Sequence, residues 1–222
     1  MADFATIRDL KQSLIRKPLA GAILMAPYTT VLPTTYFTSV APIELVDLKA
    51  AGFTSIGHVS RENAPTFTPE TETAEVESWG LLEAARMDMI SRRTTISWTG
   101  QETHKLNLEL WHNADLSTVE HHATTGETSF ADPTEPSITY RRAVFVSIDG
   151  SGANRIYMIR ECPKFTVTEV SEQTMNQESA IEYGITGRAF IDEDAGYSMK
   201  TIFGGPGWLS IATDAGFPVA TP

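Results

Sequence analysis

From Ala180 to Asp192 the chain reads AIEYGITGRAFID, and its side chains alternate. Ile181, Tyr183, Ile185, Ala189 and Ile191 fall on one side; Glu182, Thr186, Arg188 and Asp192 fall on the other. A period of two places successive side chains on opposite faces of a strand, so one face is buried and the other is wet. An acidic turn follows, Asp192-Glu193-Asp194 with Gly196, and then an apolar run from Met199 to Phe203. That run ends in Gly204-Gly205-Pro206-Gly207-Trp208. The stretch predicts a hairpin, and a strand with one apolar face needs a second layer to bury it.

The same period recurs along the chain. Gly21 to Ala26 and Phe53 to Ser60 read as strands, and Glu75 to Trp79 starts another. Ala85, Met87 and Met89 alternate with Arg86 and Asp88, a half-buried strand. Thr94, Ile96 and Trp98 alternate with Thr95, Ser97 and Thr99, a further one. Tyr140 to Ile148 and Arg155 to Arg160 flank the turn residues Asp149 to Asn154, so they form a hairpin, and Phe165, Val167 and Glu169 continue the alternation. Pro27 to Pro42 and Arg61 to Thr73 carry prolines and no period and read as loops. Glu44 to Ala51 reads as one or two helical turns closed by Gly52.

One segment reads as a helix. Between Thr103 and Ala114, Leu106, Leu110 and Ala114 recur every fourth position beside Trp111, and Thr103 can cap. Leu106, Leu108 and Leu110 also alternate, which leaves a strand as the competing reading. Asp3 to Lys17 places Ile7, Leu10, Leu14 and Ile15 on a stripe, as an amphipathic helix or as an extended arm. Together these predict a mainly β chain: an antiparallel β-sandwich or barrel with one flanking α-helix, a single domain over 1–222. Residues 1–20 form the arm or short helix and 209–222 a short tail.

Charge narrows the partners. The 222 residues carry a formal net charge of -11, which repels phosphate backbones and argues against a dedicated nucleic-acid binder. The single cysteine, Cys162, cannot form an intrachain disulfide. The N-terminus lacks the pattern of a signal peptide, and Leu19 to Pro27 is too short to span a bilayer, so folding in a cytoplasm and no membrane partner are expected.

No catalytic motif is present: there is no GxSxG, HExxH, P-loop or paired CxxC. The clusters Gly150-Ser151-Gly152 and Gly204 to Gly207 read as turns or close packing. His121 and His122 are adjacent, and His104 and His112 are eight apart, which is not metal-ligand spacing. Cys162 reads as a small buried hydrophobe. Trp79, Trp98, Trp111 and Trp208 read as packing residues. The expectation is no catalytic residue, no cofactor and no metal.

The last third and its order with the rest resemble a known family. AIEYGITGRAFIDEDAGYSMKTIFGGPGW resembles the C-terminal hairpin of the major tail (tail tube) proteins of long non-contractile-tailed phages, the siphovirus type, particularly those infecting actinobacteria. GAILMAPYTTVLP (Gly21 to Pro33), GFTSIGHV (Gly52 to Val59), Glu75 to Thr103 and Leu106 to Trp111 are similar, in order, to that family's opening strand and loop, next strand, following strand pair and helix. The resemblance covers roughly residues 20 to 208. It implies a two-sheet sandwich whose protomers close into hexameric rings, and rings that stack into a tube through loops and a terminal arm. A tape-measure protein fills the tube, tail terminator and distal tail proteins cap its ends, and double-stranded DNA passes through without specific binding. The family's extra immunoglobulin-like domain is not expected here. Acids that could face the lumen are Glu72, Glu75, Glu77, Asp192, Glu193 and Asp194. Without the resemblance, a β-sandwich binding module (carbohydrate-binding or capsid-decoration) is the main alternative, and a hydrolase on a β scaffold comes third.

Overall fold

The computed structural model describes residues 3–135 and 137–220. Its elements in chain order are α1 (Phe4–Arg8), β1 (Ala20–Pro27), β2 (Thr54–Ser55), β3 (Thr66–Val76), β4 (Arg86–Gly100), α2 (Lys105–His112), β5 (Arg141–Asp149), β6 (Ile156–Val170), β7 (Tyr183–Phe190), β8 (Lys200–Gly204) and α3 (Pro206–Ile211). All strands belong to one antiparallel sheet in the order β2-β1-β5-β6-β7-β4-β3, with β8 attached to β6. The expected β-rich class holds, with few and short helices.

The sheet curls until its ends face each other. Phe145 of β5 meets Trp98 of β4 with ring centroids 5.6 Å apart and Phe67 of β3 at 5.1 Å, both edge-on, although β6 and β7 lie between these strands in the sheet. The inner face therefore closes on itself around Ile23, Met25, Ile96, Trp98, Phe145, Phe165 and Ile185, and Leu106 and Leu110 of α2 plug the opening. Burying each such side chain contributes roughly 1.5–3 kcal/mol. The outer face is covered over half its width only. There the 28–53 segment lays Tyr36, Leu48 and Phe53 on Leu24, Val144, Val146, Tyr157 and Ile159.

β6 is the strand that joins the two halves. Its first part lies between β5 and β8, and its last part lies beside β7. The β5 register jumps from Ala143↔Cys162 to Arg141↔Phe165, so Arg142 faces both Pro163 and Lys164. That is a bulge, where a proline without an N–H is tolerated inside a sheet. The bulge also keeps Cys162 and Phe165 both on the inner face.

Several expectations are corrected. Met199 to Phe203 is not the second arm of a hairpin with β7. Both edges of β7 are taken, by β6 and β4, so β8 crosses to pair Lys200 to Gly204 with Glu161 to Tyr157. Residues 66–73, read as loop on account of their prolines, belong to β3. Pro69 is accommodated because β3 is an edge strand. The two strands read at 85–89 and 94–99 are one, β4, and its first part is exposed rather than half-buried, with Met87 at 64% and Met89 at 65%. Of Phe53 to Ser60 only Thr54–Ser55 is strand, with an isolated bridge from Val59 to Gly100. Glu44 to Ala51 is not helical: the Asp47 carboxylate accepts the Lys49 and Ala50 N–H groups at 2.9 and 3.2 Å and holds a turn.

The helix predicted over 103–114 runs from Lys105 to His112. Its cap is His104 rather than Thr103, with Nδ1 accepting the Leu106 N–H, and it closes at Asn113 in the left-handed region. The N-terminal helix stops at Arg8, because Asp9 adopts φ +37. Its apolar stripe, Ile7, Leu10 and Ile15, is exposed.

Candidate assembly surface

On the half of the sheet made of the end of β6 with β7, β4 and β3, the outer face has no cover, and its residues follow from the strand registers. The odd residues of β7 and the even residues of β4 enter the core, so Thr186 and Arg188 share the outer face with Thr95, Ser97 and Thr99. One row across the four strands reads Thr166, Arg188, Thr95, Thr68, with Thr166 at its edge buried and donating its hydroxyl to Thr139 O. The next reads Glu169, Thr186, Ser97, Thr66. This is a hydroxyl-rich surface with few charges. A depression of about 250 Å³ sits on it, lined by Glu62, Asn63, Thr66, Ser97, Thr99, Ser171 and Thr186 among others.

Both lateral edges of this half are open. Among the described residues, β3 pairs with β4 alone along its 11 residues. Beyond Phe165, β6 has no strand partner among the described residues on the side away from β7. Rows of unsatisfied backbone N–H and C=O groups are a template for pairing with another chain. The covered half ends differently, in the two-residue β2 and the five-residue β8, the short edges that discourage such pairing.

The β3–β4 hairpin projects past the end of β7, which stops at Phe190 while β3 and β4 continue pairing from Glu70↔Arg93 to Val76↔Arg86. Among the described residues, no layer backs this extension. Val76, Trp79, Leu81, Leu82, Met87, Met89 and Ile90 are all exposed. At the same end of the strands, where β5 ends and β6 begins at Asp149↔Ile156 and where Leu19 N–H donates to Ile148 O, the N-terminal segment exposes Phe4, Ile7, Leu10 and Ile15. Exposed apolar side chains therefore gather at this one end of the strands.

The sequence nominated six lumen-facing acids, and the structure removes one. Asp192 is fully buried. Its Oδ2 accepts from Arg142 Nη1 at 2.6 Å and from the Tyr28 hydroxyl at 2.8 Å. Its Oδ1 accepts the N–H groups of Asp194 at 3.1 Å and Ala195 at 2.8 Å. Burial alone would raise its pKa, but the Ala195 N–H, the Tyr28 hydroxyl and the Arg142 guanidinium together bring it down to about 2. Glu72, Glu75, Glu193 and Asp194 are exposed, as is Glu77 past the end of β3. Strand alternation puts Glu72 on the same side as Thr66 and Thr68, and Glu75 on the other. The five exposed acids gather at the hairpin end of the sheet, not on the hydroxyl face itself.

A second buried carboxylate, Glu161, is 1% exposed and accepts the hydroxyls of Tyr36 and Tyr197. Burial, and then the bond to Glu161, push both phenols up. The two carboxylates clamp the 28–53 segment and the β7–β8 turn to β5 and β6. These are structural arrangements, with no open site beside them.

The remaining candidates settle as packing or turn residues. Cys162 is buried and its thiol is pushed up to about 12 by burial. His112 Nδ1 lies 2.7 Å from Asp132, and His122 Nδ1 accepts the Thr125 N–H. Among the described residues, no group of three or more His, Cys, Asp or Glu is placed to hold a metal ion. Gly205 (φ +98) and Gly207, where a Cβ would meet Asn154 O at 2.4 Å, are close-packing glycines as expected. Trp98 is buried, whereas Trp79 is fully exposed at the hairpin tip. Sequence reasoning missed the hydroxyl face because residues 66–72 were read as loop. Their alternation, Thr66, Thr68, Glu70, Glu72, was the available signal.

Comparison with known proteins gives three results. The family model described as "Phage tail tube protein" matches residues 9–202. No curated protein sequence matches. Among solved structures, a chain of the "Cryo-EM structure of the anti-feeding prophage (AFP) baseplate, 6-fold symmetrised" aligns with a TM-score of 0.41 at 6% identity, over 86% of this chain and 99% of that one.

Proposed function

The chain belongs to the phage tail tube protein family, a family of structural tail proteins, and from that premise we propose that it polymerises as stacked hexameric rings into the tail tube through which the genome leaves the virion. The observation that carries this reading is the pair of open edges on one half of the sheet. β3 and the end of β6 lie on opposite sides of the same four strands, so pairing β3 of one copy with β6 of the next is a heterologous contact, and a heterologous contact repeated with the right rotation closes a ring. The lumen-lining half of the sheet then has no edge left. Its uncovered hydroxyl face then lines the lumen, and the covered half forms the outer wall.

The exposed apolar residues at the hairpin tip and on the N-terminal segment, at the same end of the strands, suit contact with the facing end of the next ring. Glu72, on the lumen side of the hairpin, and Glu193 and Asp194, in the turn past β7, stand where a lumen would open. Acids and hydroxyls there offer phosphate nothing to release counterions against, so DNA is not trapped. The tape-measure protein, terminator and distal tail proteins, a non-contractile tail of siphovirus type, an actinobacterial host, assembly in the host cytoplasm and a single domain over 1–222 complete the proposal.

Negative-stain microscopy of concentrated protein tests the tube. Cysteines introduced at Thr68 of β3 and Glu169 of β6, with neighbouring positions to scan register, test the joint. A disulfide ladder that stops at the hexamer under polymerising conditions is expected. Tubes that form with no cross-link at any register between these strands, or protein that stays monomeric at every concentration, would overturn it.

A further inference from the structure

Within a chain of net charge -11, the hydroxyl face carries an unneutralised cationic spot. Arg188 lies at its centre, between Thr166 and Thr95 in register. Lys164 pairs with Phe190 one step along the same face. Among the described residues neither cation makes an ion pair, whereas Arg93 at the border is bound to Glu70 at 2.6 Å. Both are held against rings: the Arg188 guanidinium is 5.5 Å from the Phe190 centroid, and Lys164 Nζ is 4.7 Å from that of Tyr140. Arg188 Nε is buried without a hydrogen-bond partner. Glu169, at the open edge of β6, is the acid in the adjoining row.

We propose that Arg188 and Lys164 form a phosphate-contacting station that touches the backbone of double-stranded nucleic acid passing over this face, an inference that rests on the tube reading. The charges are complementary, and the flanking hydroxyls of Thr95 and Thr186 add donors that phosphate oxygens accept. Rings support the cations in partly desolvated positions without neutralising them. In a ring, one such level per subunit makes a narrow cationic collar between the Glu169 row and the acids at the hairpin end. It is enough to guide the duplex and too small to hold it, because affinity gained through a few phosphate contacts falls steeply with salt.

The test is co-sedimentation of polymerised protein with a fluorescein-labelled 20-base-pair duplex across a salt series. The wild type is compared with R188Q/K164Q, with the charge-keeping R188K, and with K200Q, which lies outside this face. The expected result is retention by wild type, R188K and K200Q at low salt. The double variant should bind at least about tenfold more weakly, with a shallower dependence on salt, while forming tubes of unchanged appearance. Equal retention by wild type and double variant, no retention by wild type at low salt, or equal retention of a polyglutamate chain would each overturn the station. Absence of tubes in the wild type would overturn the proposed function instead, and the same titration on the soluble subunit then decides the station. Should the double variant fail to assemble, R188Q and K164Q are measured singly with the same criteria.

Discussion

Replacing Asp192 by Asn isolates the charge of the buried pair that locks the β7–β8 turn to the bulge. Asn keeps an oxygen to accept the Asp194 and Ala195 N–H groups and nearly the same volume, so the turn cap survives. What it loses is the anion 2.6 Å from Arg142, whose side chain is only 10% exposed, together with the acceptor of the Tyr28 hydroxyl. Breaking a buried pair by removing one partner costs about 3–5 kcal/mol. Arg142 retains the carbonyls of Pro163 at 2.7 Å and Thr30 at 3.3 Å, which places the expected loss near the lower figure, about 3 kcal/mol. For a chain of this size that is a fall in Tm of about 6–12 °C. The effect carries a pH signature. Burial works to raise the Asp192 pKa, its hydrogen bonds and Arg142 outweigh that, and the result, about 2, lies below the unfolded value of about 3.9. The carboxylate's contribution is therefore fully present above about pH 4 and is lost as pH falls towards about 2. Urea denaturation followed by tryptophan fluorescence, from about pH 8 down to about pH 3, measures it. The gap between wild type and D192N should be constant from about pH 8 to 5 and should narrow below about pH 4. A variant within about 1 kcal/mol of wild type at neutral pH, or a gap that does not change in acid, would refute the reasoning.

Glu161→Ala leaves the buried Tyr36 hydroxyl and the half-buried Tyr197 hydroxyl without their acceptor, and a loss of about 2–5 kcal/mol in urea denaturation is expected. In an alkaline titration followed at the phenolate absorbance, Tyr36 and Tyr197, both pushed up by burial, should ionise only as the protein unfolds. Tyrosines that all ionise together in the folded protein would contradict this. Cys162, buried with its thiol pushed up to about 12, should react with Ellman's reagent only after denaturant is added. Gly187→Ala would set a Cβ 2.2 Å from the Phe165 ring and 2.5 Å from Thr166 O, so calorimetry should show a destabilisation of about 1–3 kcal/mol or more.

The sequence was informative wherever one strand's own alternation decided the outcome. β5, the start of β6 and β7 are where the period placed them, and Ile185 and Ala189 enter the core as their spacing required. It failed where pairing partners decided. β8 was assigned to β7 because hairpins usually join neighbours, yet β7 had no free edge. β3 was hidden by Pro65 and Pro69, which an edge strand tolerates. The Asp192 error has the same origin. An Asp-Glu-Asp turn reads as solvated until a cation 50 positions earlier, Arg142, is known to lie against it. Glu161 and Tyr36 are 125 positions apart, and no local pattern reports such a meeting.

The bulged strand β6 has a mechanical consequence. Its first part is hydrogen-bonded to β5 and β8 and its last part to β7, so a pull on the open edge near Val170 travels along a covalent chain into the other half. Sliding one half against the other would shear backbone ladders, not loose side-chain contacts. Each subunit is thus stiff across its width, and a filament built from it would bend at the joints between subunits, leaving the bore of each ring its shape.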